Sequence, residues 1–480
     1  MRRWVSASAR LLFIGALAFG GYTDADSDPA EIMVDPARTY QTIKGWEATA
    51  RLWETNKEED RYDPSWLGFR DLIFDRLVNE LGINRVRLEI KSGAENPVDY
   101  WTKFEKGEIG YKAYRRHYYE KINDNDVPDR INPAGIQFSA LDYQVEAIVL
   151  PLRRRIEANG ERLFVNFNYV DFGQTEEKGT LSHALNPEEY AELIHAAFVH
   201  LKEKYSLVPD ALEIILEPDH TDQWRGKQIG EAVVAVVRRL TAAGFSPEII
   251  APSTAAAQAA PSYFDELTSV PGAGALISTL SYHRYDVSGT LKVLPEILKR
   301  AQKLGISTAM LEHLTGDGQE LHDDMTLANV SAWQQYAIAT RSVAGRPDKI
   351  GYYYILDLKN PAAPVLRMAE RTRILAQYFR YIRFGAQRIE AHANRSELKP
   401  VAFRNTDGTY VVVVRAESAG TFTVRGVPPG RYYVRYTTDQ ETGRELPPLM
   451  ADGKAISAQL PAPGTVTFYQ KALSAHDSHE

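Results

Sequence analysis

Short runs rich in valine, isoleucine and leucine recur along this chain, and between them lie stretches whose apolar residues fall at helical spacing. That alternation is the signature of a parallel α/β fold, because parallel strands need crossover helices and are covered on both faces. The runs occupy 43–46, 82–90, 163–169, 212–217, 249–253, 277–285, 306–312 and 351–357. They supply the strands that a (β/α)8 TIM barrel requires. The helices between them are well marked. The stretch 187–204 follows Asn186 and puts Tyr190, Leu193, Ile194, Ala197 and Leu201 on one face, and 227–243 repeats the spacing before Gly244.

Helical periodicity stops near Gly385. Beyond it, runs at 410–414, 421–424, 432–436 and 465–469 alternate with turns at Asp407-Gly408 and Pro428-Pro429-Gly430. An antiparallel β-sandwich is therefore expected over 388–472, with a tail at 473–480. A strand near 31–34 assigns 19–42 to the same sandwich and leaves 43–387 for the barrel. Residues 1–18 read as a signal peptide: Arg2, Arg3 and Arg10 precede the apolar run 11–17, and Ala16-Leu17-Ala18 offers a cleavage site there or a few residues later. The run is too short to span a bilayer. A secreted or periplasmic monomer with no membrane span is expected.

A formal charge of -7, with no basic run longer than 153–155, argues against nucleic acid and favours neutral or weakly polar partners. The chain has no cysteine, which removes disulfides, thiolate nucleophiles and cysteine metal sites together. No phosphate loop or dinucleotide fingerprint is present, so no cofactor is expected.

In barrels of this kind the active site lies at the carboxyl ends of the strands. Glu217 ends the fourth run and is followed by Pro218, Asp219 and His220; Glu312 ends the seventh and is followed by His313. Two carboxylates facing one another across a cleft are the minimum apparatus for cleaving a glycosidic bond, one giving a proton to the leaving oxygen and one attacking or activating water. Donors that keep one of them ionised are available in Arg87, His283 and Tyr285, and Glu89 reads as the ion-pair partner of Arg87. Trp46 and Trp224 are candidate sugar-stacking rings, and Asn168, His220 and Tyr354 are candidate polar contacts. Strand-end glutamates also solvate the rim of any barrel, so the case rests on the joint placement of this pair.

These residues resemble the clan A glycoside hydrolases. In that clan a Glu-Pro ending strand four carries the acid/base and a glutamate ending strand seven is the nucleophile; here these are Glu217-Pro218 and Glu312. The entry Tyr40-Gln41-Thr42-Ile43-Lys44-Gly45-Trp46 is similar to the opening of glycoside hydrolase family 30, whose barrel is fused to a β-sandwich. Val86-Arg87-Leu88 matches the clan's strand-two arginine, and His283-Arg284-Tyr285 its strand-six aromatic. Leu216 stands where relatives carry an asparagine that reaches the sugar 2-hydroxyl. Either Asn168 or His220 supplies that donor, or the substrate differs at that carbon, or activity is weak or absent. The resemblance thus implies a divergent or neighbouring family.

The long loop at 91–137 carries Tyr100, Trp101, Phe104, Tyr111, Tyr114, Tyr118 and Tyr119, which either wall a saccharide cleft or form the loop's own small core. Asp124-Asn125-Asp126 resembles part of a calcium loop but lacks its glycine and closing glutamate, and reads as a solvated turn; no metal site is expected. The reading as a whole is a retaining β-glycosidase acting on a poly- or oligosaccharide. The alternative is a catalytically weak or inactive carbohydrate-binding barrel.

Overall fold

The computed structural model describes residues 30–53, 62–173, 177, 179–285, 288–342, 350–360, 362–453 and 455–471. The expected signal peptide and the tail lie outside the described residues. The strands up to residue 368 are β1 (Ala30–Thr42), β2 (Gly45–Thr49), β3 (Arg85–Lys91), β4 (Phe164–Val170), β5 (Ala211–Glu213), β6 (Glu248–Thr254), β7 (Thr279–Tyr282), β8 (Ser307–Met310), β9 (Val330–Arg341), β10 (Tyr352–Asp357) and β11 (Val365–Met368). Strands β2 to β9 are parallel neighbours in order, and β9 pairs with both β8 and β2, which closes the ring. The fold is a (β/α)8 barrel.

One strand differs from the sequence expectation. The eighth staff of the barrel is β9, not the run at 351–357, which forms β10 and pairs with the far half of β9 from Tyr352↔Ala337 to Leu356↔Arg341. That strand turns back antiparallel through β11 as a hairpin outside the ring. Strand β9 escapes an apolar scan because Ser331, Gln334 and Gln335 interrupt it. Their amide N–H groups find partners inside the fold: Gln334 donates to the Thr49 hydroxyl at 2.6 Å and Gln335 to the Gly316 carbonyl at 3.0 Å.

Alternation along the strands sorts side chains between the barrel interior and the helices outside. Phe164, Ala211, Ile250, Ala309, Leu311 and Ala332 form an apolar cluster. Above it sits a polar layer in which Arg85 pairs with Glu47, and Asn166 donates to Glu213 at 2.8 Å. Since Glu47 points inward, its neighbour Trp46 must point outward. Trp46 is fully buried under the helix Glu370–Phe379, stacked on Phe379 at 4.4 Å with its indole N–H on the Ile382 carbonyl.

The C-terminal strands β12 (Gln387–Ala393), β13 (Leu398–Arg404), β14 (Tyr410–Ala416), β15 (Gly420–Arg425), β16 (Gly430–Thr438), β17 (Arg444–Ala451), β18 (Ala455–Leu460) and β19 (Gly464–Tyr469) form a second sheet with β1. Strand β1 lies between β12, antiparallel, and β15, parallel. The sheet folds over itself: Phe422 of β15 meets Phe468 of β19 edge-on at 6.1 Å although four strands separate them in the sheet. The enclosed core of Ile32, Val34, Val412, Val414, Val424 and Val434 makes the module a sandwich. It is fixed to the barrel through Gln377, whose amide donates to Thr437 at 2.7 Å and whose carbonyl accepts from Thr467 at 2.8 Å.

Candidate active site

The carboxyl ends of the barrel strands surround a cleft of about 700 Å³ that reaches both glutamates singled out in the sequence. Glu312 follows β8 by two residues. Arg87, projecting from β3, donates through Nη2 to Glu312 Oε2 and through Nη1 to the Leu311 carbonyl at 3.2 Å. Tyr285 donates its phenol to Glu312 Oε1 at 2.7 Å. Burial, and then the charge of Glu312, push the Tyr285 pKa up, so the phenol stays a donor. Arg87 also pairs with Glu89 at 3.1 Å, as strand alternation implies.

Glu217 lies four residues beyond β5, where its backbone takes the left-handed φ of 48°. A non-glycine residue held there is strained by about 1–3 kcal/mol, and the surroundings must hold it. Its amide donates to the Ser253 carbonyl at 3.0 Å. Asp219, two residues on, accepts from the amides of Ala255 and Ala256 at 2.6 and 3.0 Å and so pins the turn to the end of β6. The Glu217 carboxylate is bonded by His283 Nδ1 on Oε1 at 2.9 Å and by His220 Nδ1 on Oε2 at 3.2 Å. Burial drives the Glu217 pKa up, but hydrogen bonds and charge from the two imidazoles outweigh it and bring it down to about 2. His283 moves the opposite way: burial pulls it down and Glu217 more than restores it, leaving it raised. The contact thus favours an ionised Glu217 beside a protonated imidazole.

One oxygen of each glutamate and one nitrogen of His283 lie within 4.8 Å of one another. Three such groups are also a conceivable cation site. The Arg87 guanidinium on Glu312 opposes that use, because it already occupies the carboxylate with a positive charge.

Of the remaining sequence candidates, Trp46 faces the outer helices, as described. Trp224 is fully buried behind the cleft against Tyr169 and Tyr190, its N–H on Asp171 at 3.3 Å. Tyr354 belongs to β10 rather than to a barrel strand, and its hydroxyl donates to the Arg76 carbonyl at 2.9 Å on the outer side of the fold. These three side chains are spent on packing, which corrects their expected contact with sugar. Asn168 is buried in the barrel with neither amide atom partnered. The loop aromatics divide. Trp101, Tyr111 and Tyr114 form the loop's own core with Phe104, whereas Tyr118 and Tyr119 reach the cleft.

Sequence reasoning passed over Tyr336, which comes from the inward face of β9 and lines the cleft with its hydroxyl on Arg51 at 2.7 Å. The signal was available only to a reader who accepted 330–341 as a strand. It also passed over a set of cations: Arg51, Lys91, Lys112, Arg115 and Arg116 all line the same cleft. A net charge of -7 averages over a surface on which this basic concentration is local. Leu216 packs with Tyr119 and Val170 on one wall, so that side is apolar.

The chain is similar to glycoside hydrolases of family 30. Residues 385–468 match the family model described as the glycosyl hydrolase family 30 beta sandwich domain. The whole fold is similar to the catalytic domain of the family 30 xylanase C from Talaromyces cellulolyticus, at 15% identity and a TM-score of 0.65 over 92% of this chain and 99% of that one. It is similar also to a family 30 endoxylanase from Clostridium papyrosolvens (16%, TM-score 0.61, 92% and 100% covered) and to the endo-β1,6-glucanase BT3312 (15%, 0.61, 92% and 95%). No curated protein sequence matches the chain.

Proposed function

We propose that this protein is an exported retaining β-glycosidase that cleaves a poly- or oligosaccharide by double displacement, with Glu312 as nucleophile and Glu217 as acid and then base. The observation that carries this reading is the short gap between the two carboxylates. Their nearest oxygens lie within 4.8 Å, whereas an inverting pair leaves about 6.5–9.5 Å for a water between them. The donors support the division of roles. Glu312 is held by a permanent cation and a phenol, which suits an ionised attacking group, while Glu217 shares a proton with His283 along a 2.9 Å hydrogen bond.

In the first step Glu312 Oε attacks the anomeric carbon as the glycosidic oxygen departs with a proton from Glu217. A sugar filling the cleft displaces water and favours the neutral carboxyl, moving the shared proton from His283 to Glu217. In the second step Glu217, ionised again, takes a proton from water, whose oxygen displaces Glu312 from the sugar. The cations along the wall favour a glycan that carries acidic groups. A second reading, a binding protein with little turnover, is favoured by one observation: Leu216 replaces a polar side chain with an apolar one on the wall beside Glu217.

The test is incubation with a panel of neutral and acidic polysaccharides, with product masses and anomeric configuration followed over time. Cleavage with retention by wild type, lost by at least about 10³-fold in Glu312→Gln while binding persists, is the expected result. An inverted first product removes the nucleophile role. No cleavage of any glycan, with binding intact, favours the second reading.

A further inference from the structure

A second group of carboxylates, all buried except the half-buried Asp124, lies away from the cleft, where the loop after β3 meets the helix Pro187–Tyr205. Glu95 and Asp124 come from the loop, and Glu189 from the first turn of the helix. One carboxylate oxygen from each lies within 4.8 Å of the other two. Glu95 is 1% exposed and Glu189 6%. Glu192, also 1% exposed, stands three residues along the helix and its carboxyl contacts that of Glu189.

The protein satisfies only half of this group. Glu95 Oε2 meets His183 Nε2 at 2.6 Å, Asp124 Oδ2 accepts from the Asn132 amide at 2.5 Å, and Glu192 Oε1 meets Arg239 at 3.4 Å. The opposite oxygens Glu95 Oε1 and Asp124 Oδ1 are buried with no hydrogen-bond donor, while the carboxyls of Glu189 and Glu192 share a hydrogen bond with each other. A buried carboxylate oxygen without a donor costs several kcal/mol, and several facing one another add mutual repulsion. Carboxylates from two separate segments thus come within 4.8 Å of one another where the chain leaves a buried oxygen of Glu95 and of Asp124 without a donor.

We infer that this pocket is a calcium site formed by Glu95, Asp124 and Glu189, with Glu192 beside Glu189. Calcium binds six to eight oxygens at about 2.3–2.6 Å, so two ligands of one ion lie up to about 5 Å apart, which the 4.8 Å cluster meets. The set is all oxygen. His183, the one imidazole in contact with it, is already engaged with Glu95 and with the Tyr169 hydroxyl, so a zinc-type nitrogen and sulfur set is not on offer. The Asp124 segment is not a continuous calcium loop; the ligands come from parts of the chain that only folding brings together. The ion would bolt the loop that supplies Lys112, Arg115, Tyr118 and Tyr119 to the barrel helix, and so hold one wall of the cleft.

The experiment uses the whole mature chain. After dialysis against micromolar calcium, plasma mass spectrometry should find about one calcium per chain. EGTA should lower the melting temperature by at least about 3 °C, and added calcium should restore it. Asp124→Asn and Glu189→Gln, checked for native circular dichroism, should lose both the retained ion and the EGTA response. Because the two substitutions fall on separate segments, one suffices if the other does not fold. The inference is overturned if wild type holds no stoichiometric calcium and ignores EGTA, if folded variants hold calcium as wild type does, or if magnesium alone reproduces the stabilisation.

Discussion

Two carboxylate groups of this molecule are treated in different ways. At the cleft, Glu89, Glu217 and Glu312 are matched by Arg87, His283, His220 and Tyr285, all from the chain itself. At the loop-helix junction, Glu95, Asp124, Glu189 and Glu192 are only partly matched: Glu95 and Asp124 each leave a buried oxygen without a donor, and Glu189 and Glu192 lean on each other. The difference fits the roles proposed for the two groups. A carboxylate that reacts must keep its charge or its proton under the control of neighbouring donors, whereas one that only holds a loop can leave its compensation to a cation from solution.

Removing the central donor of the matched group is the sharpest way to break this comparison. Arg87→Met leaves Glu89 and Glu312 buried without their cation and should cost about 3–5 kcal/mol in urea unfolding, with calcium present or absent. A loss below about 1 kcal/mol would mean that the cleft does not depend on internal pairing.

The next effect is a pH profile. The Glu217 pKa is depressed to about 2, so the stability it contributes is present above its unfolded value of about 4.3 and is lost as pH falls through the folded one. His283 is raised, so its contribution is full below about 6.5 and is lost as pH rises through its folded value. The melting-temperature difference between wild type and Glu217→Gln should therefore be greatest between about pH 4.5 and 6.5 and shrink on both sides. A flat difference across that range would show that the pair is not charged in the free protein.

The smallest effect is expected outside both groups. Tyr354→Phe removes one hydroxyl from the Arg76 carbonyl and should cost about 1 kcal/mol of stability with kcat/KM unchanged. A tenfold fall in kcat/KM would place the β10 hairpin in the catalytic machinery after all.

Much of the site was legible because barrel strands carry their polar ends to one face, so that Glu217, Glu312, Arg87, His283 and Tyr285 could be grouped from the runs they terminate or occupy. Tyr336 was not, because the glutamines of β9 hide a strand whose polar side chains find partners only inside the closed ring. Trp46 and Trp224 misled for a related reason. An aromatic near a strand end packs inward or outward according to pleat and neighbours, and here Glu47 and the helix Glu370–Phe379 decide for Trp46.

By itself, then, the sequence determined the alternating barrel, the change to a sandwich after Gly385 and the exclusion of thiol chemistry from a chain without cysteine, because periodicity and residue type are local properties. Only the tertiary structure decided which strand closes the barrel, which cations crowd the cleft of an acidic protein, and that Asp124 meets Glu95 and Glu189. Those facts depend on distances between segments far apart in the chain, which no local pattern encodes.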